Sequence, residues 1–175
     1  MPKPDYRIRR ALLTDRSQLG RLWTAFLKEQ CEADGRLGIS EDALERWYND
    51  YPLWIKDDSK RIFVADAGGE AIGFLTAHRW APPPIYAESS EVYIDELYIA
   101  ADHRGKGMGR KLVDEAKAWA EVVGAKRLRM SALVENRDAV DFWKEQGAEP
   151  FSVTLTIELK GDETGAKSGV RKLGF

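Results

Sequence analysis

Apolar residues recur along the chain at helical spacing in some stretches and strand spacing in others, and this alternation of periods predicts a mixed α/β (α+β) domain. Tyr6 and Ile8 alternate with arginines in a short strand over 6–9. Leu19, Leu22, Trp23, Phe26 and Leu27 then keep helical spacing behind Thr14 or Asp15, either of which suits an N-cap. After a loop over 33–39, Ser40 begins a second helix. Glu41 and Asp42 favour its positive end, Leu44, Trp47, Tyr48 and Tyr51 form its apolar side, and Pro52 is expected to stop it.

Residues 61–66 and 71–79 read as strands, and Ala67-Gly68-Gly69-Glu70 between them suits a hairpin. Pro82-Pro83-Pro84 cannot extend a ladder, so a loop precedes the strand over 91–99. From Gly107, residues Leu112, Val113, Ala116, Trp119, Ala120 and Val123 keep helical spacing as far as Gly124. A strand over 127–133 and a short helix over 137–146 follow. Val153, Leu155, Ile157 and Leu159 then alternate with polar residues, which predicts a last strand over 151–160.

Composition narrows the class of molecule. With 175 residues, 43% of them hydrophobic, the chain suits one domain over 1–160 and a polar, loose tail over 161–175. The net charge of −2, from 27 basic and 29 acidic residues, provides no global field for a polyanion, so no nucleic-acid partner is expected and any phosphate site must be local. Cys31 is the only cysteine, and His78 and His103 lack ligand spacing, so no metal is expected. The opening residues carry no apolar secretion core, and apolar runs fall short of the roughly 20 residues a membrane span needs. The expected location is cytoplasmic, away from membranes.

Candidate chemistry enters with Arg104-Gly105-Lys106-Gly107-Met108-Gly109-Arg110, which lies between a strand and a helix. Unpaired N–H groups and the helix dipole make such a turn an anion site, glycines let the backbone approach closely, and Arg104, Lys106 and Arg110 add charge. A dinucleotide fingerprint fails because Arg110 or Leu112 stands where its last glycine is needed, and no Gly-Lys-Ser/Thr ends the loop as in a Walker motif.

What fits is Arg104-x-x-Gly107-x-Gly109, and there the chain resembles the GNAT superfamily of acetyl-CoA-dependent N-acetyltransferases. The strand from Val92 to Ile99, the five-residue step to Arg104, and the later Asn136-x-x-Ala139-x-x-Phe142-Trp143-x-x-x-Gly147 match the family's order and spacing, over about a third of the chain. The resemblance implies a single GNAT-like domain: a splayed, mostly antiparallel sheet with helices on both faces. It implies acetyl-CoA as cosubstrate, held by residues 104–110, by backbone groups of Leu97 and Ile99 beside the pantetheine, and by Asn136, which also suits a helix cap.

An alkyl amine with a pKa near 10.4 needs a base before it can attack a thioester. Strict alternation puts Tyr93, Asp95, Leu97 and Ile99 on one face and Ile94, Glu96 and Tyr98 on the other. By resemblance to polyamine-type members, Asp95 is the first candidate base and Glu96 the second. Members of the family often place a tyrosine after Phe142 as the acid for the thiolate; here Trp143 stands in that place, which leaves solvent, Tyr98 or Tyr93 for that step, and a core role for Trp143.

The reaction implied is direct acetyl transfer to a primary amine, most simply a small molecule. Trp47, Tyr48, Tyr51, Trp54, Trp80 and Tyr86 are available to contact it, and Glu29, Glu32 and Asp34 to attract its charge. A non-catalytic acyl-CoA sensor and a protein or peptide acetyltransferase are the alternatives. The alternating last segment would leave a long edge unless it were paired, which suits a homodimer.

Overall fold

A computed structural model describes residues 5–85 and 90–159. Tyr86, Lys160 and the expected tail over 161–175 lie outside them. Five strands, β1 (Tyr6–Arg10), β2 (Lys60–Ala67), β3 (Glu70–Trp80), β4 (Glu91–Ile99) and β5 (Arg127–Met130), form one sheet in chain order. All neighbours are antiparallel except β4 and β5. The β2–β3 hairpin turns on Gly68 and Gly69, whose φ of 66° and 97° are the left-handed values a tight two-residue connection needs.

Each face of the sheet has its own core. Phe63, Leu75, Val92 and Ile94 pack with Met108, Leu112, Val113 and Ala116 of α3 (Met108–Val122), and Phe142 and Trp143 of α4 (Arg137–Glu145) lie against this cluster. On the opposite face Ile62, Val64, Phe74 and Tyr98 meet Leu19, Trp23 and Phe26 of α1 (Arg16–Ala33) and Trp47, Tyr51 and Trp54 of α2 (Ala43–Lys56). Alternation along β2 and β3 thus feeds two cores, so these central strands are apolar on both sides.

Three expectations are corrected. The second helix runs through Pro52 to Lys56. An internal proline removes a hydrogen bond and costs about 3 kcal/mol, but Tyr51 on one side is buried and donates its hydroxyl to the Leu12 carbonyl at 2.6 Å, while Trp54 and Ile55 on the other pack against the core. Tertiary contacts outweigh the local penalty. β5 ends at Met130 rather than at residue 133, because its pairing with β4 stops there. Residues 151–159 form no strand: Val153, Leu155, Ile157 and Leu159 are 80–88% exposed. Alternation supplies a face but not a neighbour, and among the described residues no strand edge pairs with the segment.

Candidate active site

Two adjacent carboxylates are brought together by an irregularity in β4. Thr76 of β3 stands opposite Glu96, yet the next residue, Ala77, stands opposite Ile94, so Asp95 is an extra residue in the ladder. Such a bulge shifts the alternation by one. Val92 and Ile94 before it and Leu97 and Ile99 after it all lie on the α3 side, whereas Tyr98 lies under α1. The expected faces are therefore corrected: Ile94 does not share a face with Glu96 and Tyr98, and Asp95 and Glu96 open into the same cavity.

That cavity, of about 500 Å³, lies between the sheet and helices α1 and α2. Trp23, Trp47 and Trp54 give it aromatic walls, and Asp50, Asp95 and Glu96 give it negative charge. Glu96 accepts hydrogen bonds from Trp23 Nε1 at 2.7 Å and Thr76 Oγ1 at 3.0 Å. Burial pushes its carboxyl up to about 6; the charge of Asp95 adds to the rise, and the two hydrogen bonds oppose it. Asp95 is likewise raised by burial, against a hydrogen bond to His78. A carboxylate near 6 is ionised at neutral pH yet basic enough to take a proton.

The same stretch of β4 borders an opening in the sheet. β5 pairs only with Glu91–Ile94, so among the described residues no strand pairs with 95–99 on that side. The glycine-rich turn lies beyond, at the start of α3. Gly105 and Gly107 take φ of 72° and 74°, Gly107 serves as the N-cap, and the first helical bond runs from the Lys111 N–H to the Gly107 carbonyl. The N–H groups of Met108, Gly109 and Arg110 thus have no partner within the helix, which suits a diphosphate. Gly109 lies close to α4: a Cβ there would be 3.3 Å from the Phe142 ring. Lys106 and Arg110 are exposed at this turn, while Met108 is buried in the core beneath it.

Other candidates are placed differently from the simplest expectation. Arg104 turns back from the loop: its Nη2 meets both Glu29 oxygens at 2.7–2.8 Å, and its Nε donates to the Ile99 carbonyl at 2.9 Å. It braces the turn against α1 and β4. Tyr98 also donates to Glu29, at 2.9 Å, and burial with that neighbour pushes its hydroxyl up to about 12. Asp34 is taken by Arg36. The carboxylates on the cavity wall are Asp50, Asp95 and Glu96, and Glu29, Glu32 and Asp34 are not part of it. Asn136 caps α4, accepting from the Ala139 N–H at 3.1 Å. Trp143 packs edge-on to Phe142 against the core. Trp23, Thr76 and His78 were not legible as site residues; helical and strand spacing made them look like scaffold.

A β4–β5 pairing that stops at Ile94, a glycine-rich turn at a helix start and a carboxylate-lined cavity fit an acyltransferase fold of the CoA-thioester type. The sequence profile of the acetyltransferase (GNAT) family matches residues 23–148, and the chain belongs to that family. It is 29% identical over 111 residues to an uncharacterised N-acetyltransferase of Methanocaldococcus jannaschii, covering 62% of this chain and 48% of the relative. It is 28% identical over 104 residues to the thialysine N-epsilon-acetyltransferase of Mus musculus, covering 57% of this chain and 61% of the relative. The chain thus spans about half the length of the curated relatives it matches. Among solved structures it resembles an aminoglycoside N-acetyltransferase in complex with CoA, with a TM-score of 0.74 and 18% identity over 92% of this chain and 99% of that one. A mutant Bacillus halodurans protein gives a TM-score of 0.78 and 19% identity over 87% and 99%. Among the described residues no helix is long and apolar enough to cross a membrane, and no cluster of side chains is arranged to hold a metal.

Proposed function

We propose that the protein transfers an acetyl group from acetyl-CoA to the primary amine of a small, cationic molecule in the cytoplasm, by direct attack on the thioester. The observation that carries this reading is the bulge in β4, which puts a carboxylate with a pKa of about 6 into an aromatic cavity at the stretch of β4 that lies beyond its pairing with β5. The diphosphate is assigned to the backbone N–H groups of 108–110 with Lys106 and Arg110, Gly105 and Gly107 shaping the turn and Arg104 bracing it. Pantetheine is assigned to the opening, along Leu97 and Ile99, with Asn136 at its far border. The acceptor ammonium is drawn by Asp50, Asp95 and Glu96 and enclosed by indole faces, which favour a cation. Burial and elevated basicity support Glu96 as the base, with Asp95 beside it, the reverse of the order suggested by resemblance. The thiolate, with a pKa around 8.5, leaves without a strong acid, so the tryptophan at 143 is no obstacle.

The relatives named as acting on thialysine and aminoglycosides support an amine acceptor. The test is amine-dependent release of free CoA thiol across a panel of diamines, basic amino acids, aminoglycosides and peptides, with acetyl-CoA as donor. Release with small cationic amines supports the reading; tight CoA binding without release for any amine overturns it in favour of a sensor. The 80–88% exposure of alternate apolar residues in 151–159 also supports a homodimer built on that segment. Light scattering on the wild type and on Leu155→Asp/Ile157→Asp reads it: a dimer that becomes a monomer is expected, and a wild-type monomer contradicts it.

A further inference from the structure

Stoichiometry sets a problem that the carboxylates do not solve by themselves. An ammonium substrate and a thioester yield an amide, a thiol and one proton: the N–C bond forms, the C–S bond breaks, sulfur keeps one proton, and the other must reach solvent each turnover. Glu96 lines the cavity, but hydrogen bonds from Trp23 and Thr76 engage both of its oxygens.

Two residues on, the same face of β3 offers an exit. Thr76 holds Glu96, and His78 holds Asp95, with Nδ1 2.8 Å from Oδ2. His78 is absent from the cavity wall, while Asp95 lies on it, and the two side chains are 29% and 28% exposed. Asp95 therefore touches the cavity on one side and a half-exposed imidazole on the other. The ring is held flat by Tyr93, stacked at 5.7 Å between centroids, whose hydroxyl is fixed to Ser131 Oγ at 3.0 Å. Lys60 of β2 stands opposite His78 in the ladder and adds positive charge toward Asp95. The positions are set by the bulge: strict alternation from Ile94 would leave Asp95 on the cavity side but turn Glu96 toward α3.

We propose that Asp95 and His78 form the proton exit of the site. The proton that Glu96 takes from the ammonium passes to Asp95 across the cavity that both carboxylates line; protonated Asp95 gives it to Nδ1, the imidazolium gives one to water from Nε2, and exchange with solvent restores the tautomer with Nδ1 bare. The inference rests on the acetyl-transfer reading, with His78 acting through Asp95 rather than touching the substrate.

The test is steady-state turnover of His78→Asn and His78→Ala beside the wild type, with imidazole buffer varied at constant pH and ionic strength. Asparagine keeps a donor toward Asp95 but carries no proton through. The expected result is a kcat lowered tenfold or more in both variants, with unchanged CoA affinity by calorimetry, and a kcat of His78→Ala that climbs with imidazole concentration while the wild type stays flat. His78→Asn at wild-type kcat overturns the proposal, as does a loss in His78→Ala that asparagine restores and imidazole does not, since that is a positioning effect alone. A wild type that releases no CoA with any amine defeats the acetyl-transfer reading itself, a different outcome from an active wild type that tolerates His78→Asn.

Discussion

Replacing Glu96 with glutamine separates its charge from its shape. The amide oxygen still accepts from Trp23 Nε1, and the amide N–H₂ donates to Thr76 Oγ1, so both contacts seen for the carboxylate are kept in reversed polarity at one end. What is lost is the buried charge. The carboxyl rises from 4.5 to about 6 on folding, and at 1.36 kcal/mol per unit this difference is worth about 2 kcal/mol. Its sign is destabilising at neutral pH: the folded state holds the proton more tightly than the unfolded one, so the stability present below 4.5 is lost as pH rises through about 6, and it stays lost above. Glu96→Gln should therefore be about 2 kcal/mol more stable than wild type at pH 8, roughly 4–8 °C in Tm for a chain of this size, and equal to it at pH 4. In the same variant kcat/KM should fall by about 10²–10⁴-fold, the range of a missing general base. Denaturant melts at both pH values and thiol-release kinetics read the two effects. A variant no more stable than wild type at pH 8, or one within tenfold of its kcat/KM, would refute the claim that a strained carboxylate is kept here for proton transfer.

Two further outcomes follow from the same geometry. Gly107→Ala places a Cβ at φ 74°, where an L-residue is strained by about 1–2 kcal/mol, and tilts the N–H groups that follow; the Kd for CoA should rise tenfold or more by calorimetry while circular dichroism is unchanged. Trp23→Phe keeps the aromatic wall but removes a donor that favours the charged form of Glu96, so the acidic limb of the kcat/KM profile should move above about 6; a limb that stays put would uncouple Trp23 from the base.

The turn over 104–110 was legible in the sequence because its signal is local: glycines before a helix need no tertiary context, and Gly105 and Gly107 take left-handed φ as a tight strand-to-helix turn requires. β4 was legible to the residue, since Glu91–Ile99 is bounded by a proline loop on one side and the turn on the other. The bulge was not. Nothing in Tyr93-Ile94-Asp95-Glu96 announces that one residue will be skipped, because the skip is settled by which side chains the two cores accept: Ile94 and Leu97 both sink toward α3, and only an extra residue between them permits that. The grouping of residues before the skip with those after it inherited the error, while Leu97 with Ile99 and Glu96 with Tyr98 were grouped as they stand. Trp23 and Thr76 escaped notice for a related reason, in that a core-facing tryptophan and a buried strand threonine become site residues only when a carboxylate is turned toward them. Pro52 and residues 151–159 show local pattern failing in opposite directions: packing carried a helix through a breaker, and good alternation made no strand where no edge stood beside it.

The most direct measurement is a single-turnover experiment in which protein loaded with acetyl-labelled acetyl-CoA is mixed with an accepted amine and quenched over time. Direct transfer predicts label passing from thioester to amine in one phase, with none on the denatured protein at any time point. Label that accumulates on the protein, or that stays on the thioester whichever amine is added, would contradict the account.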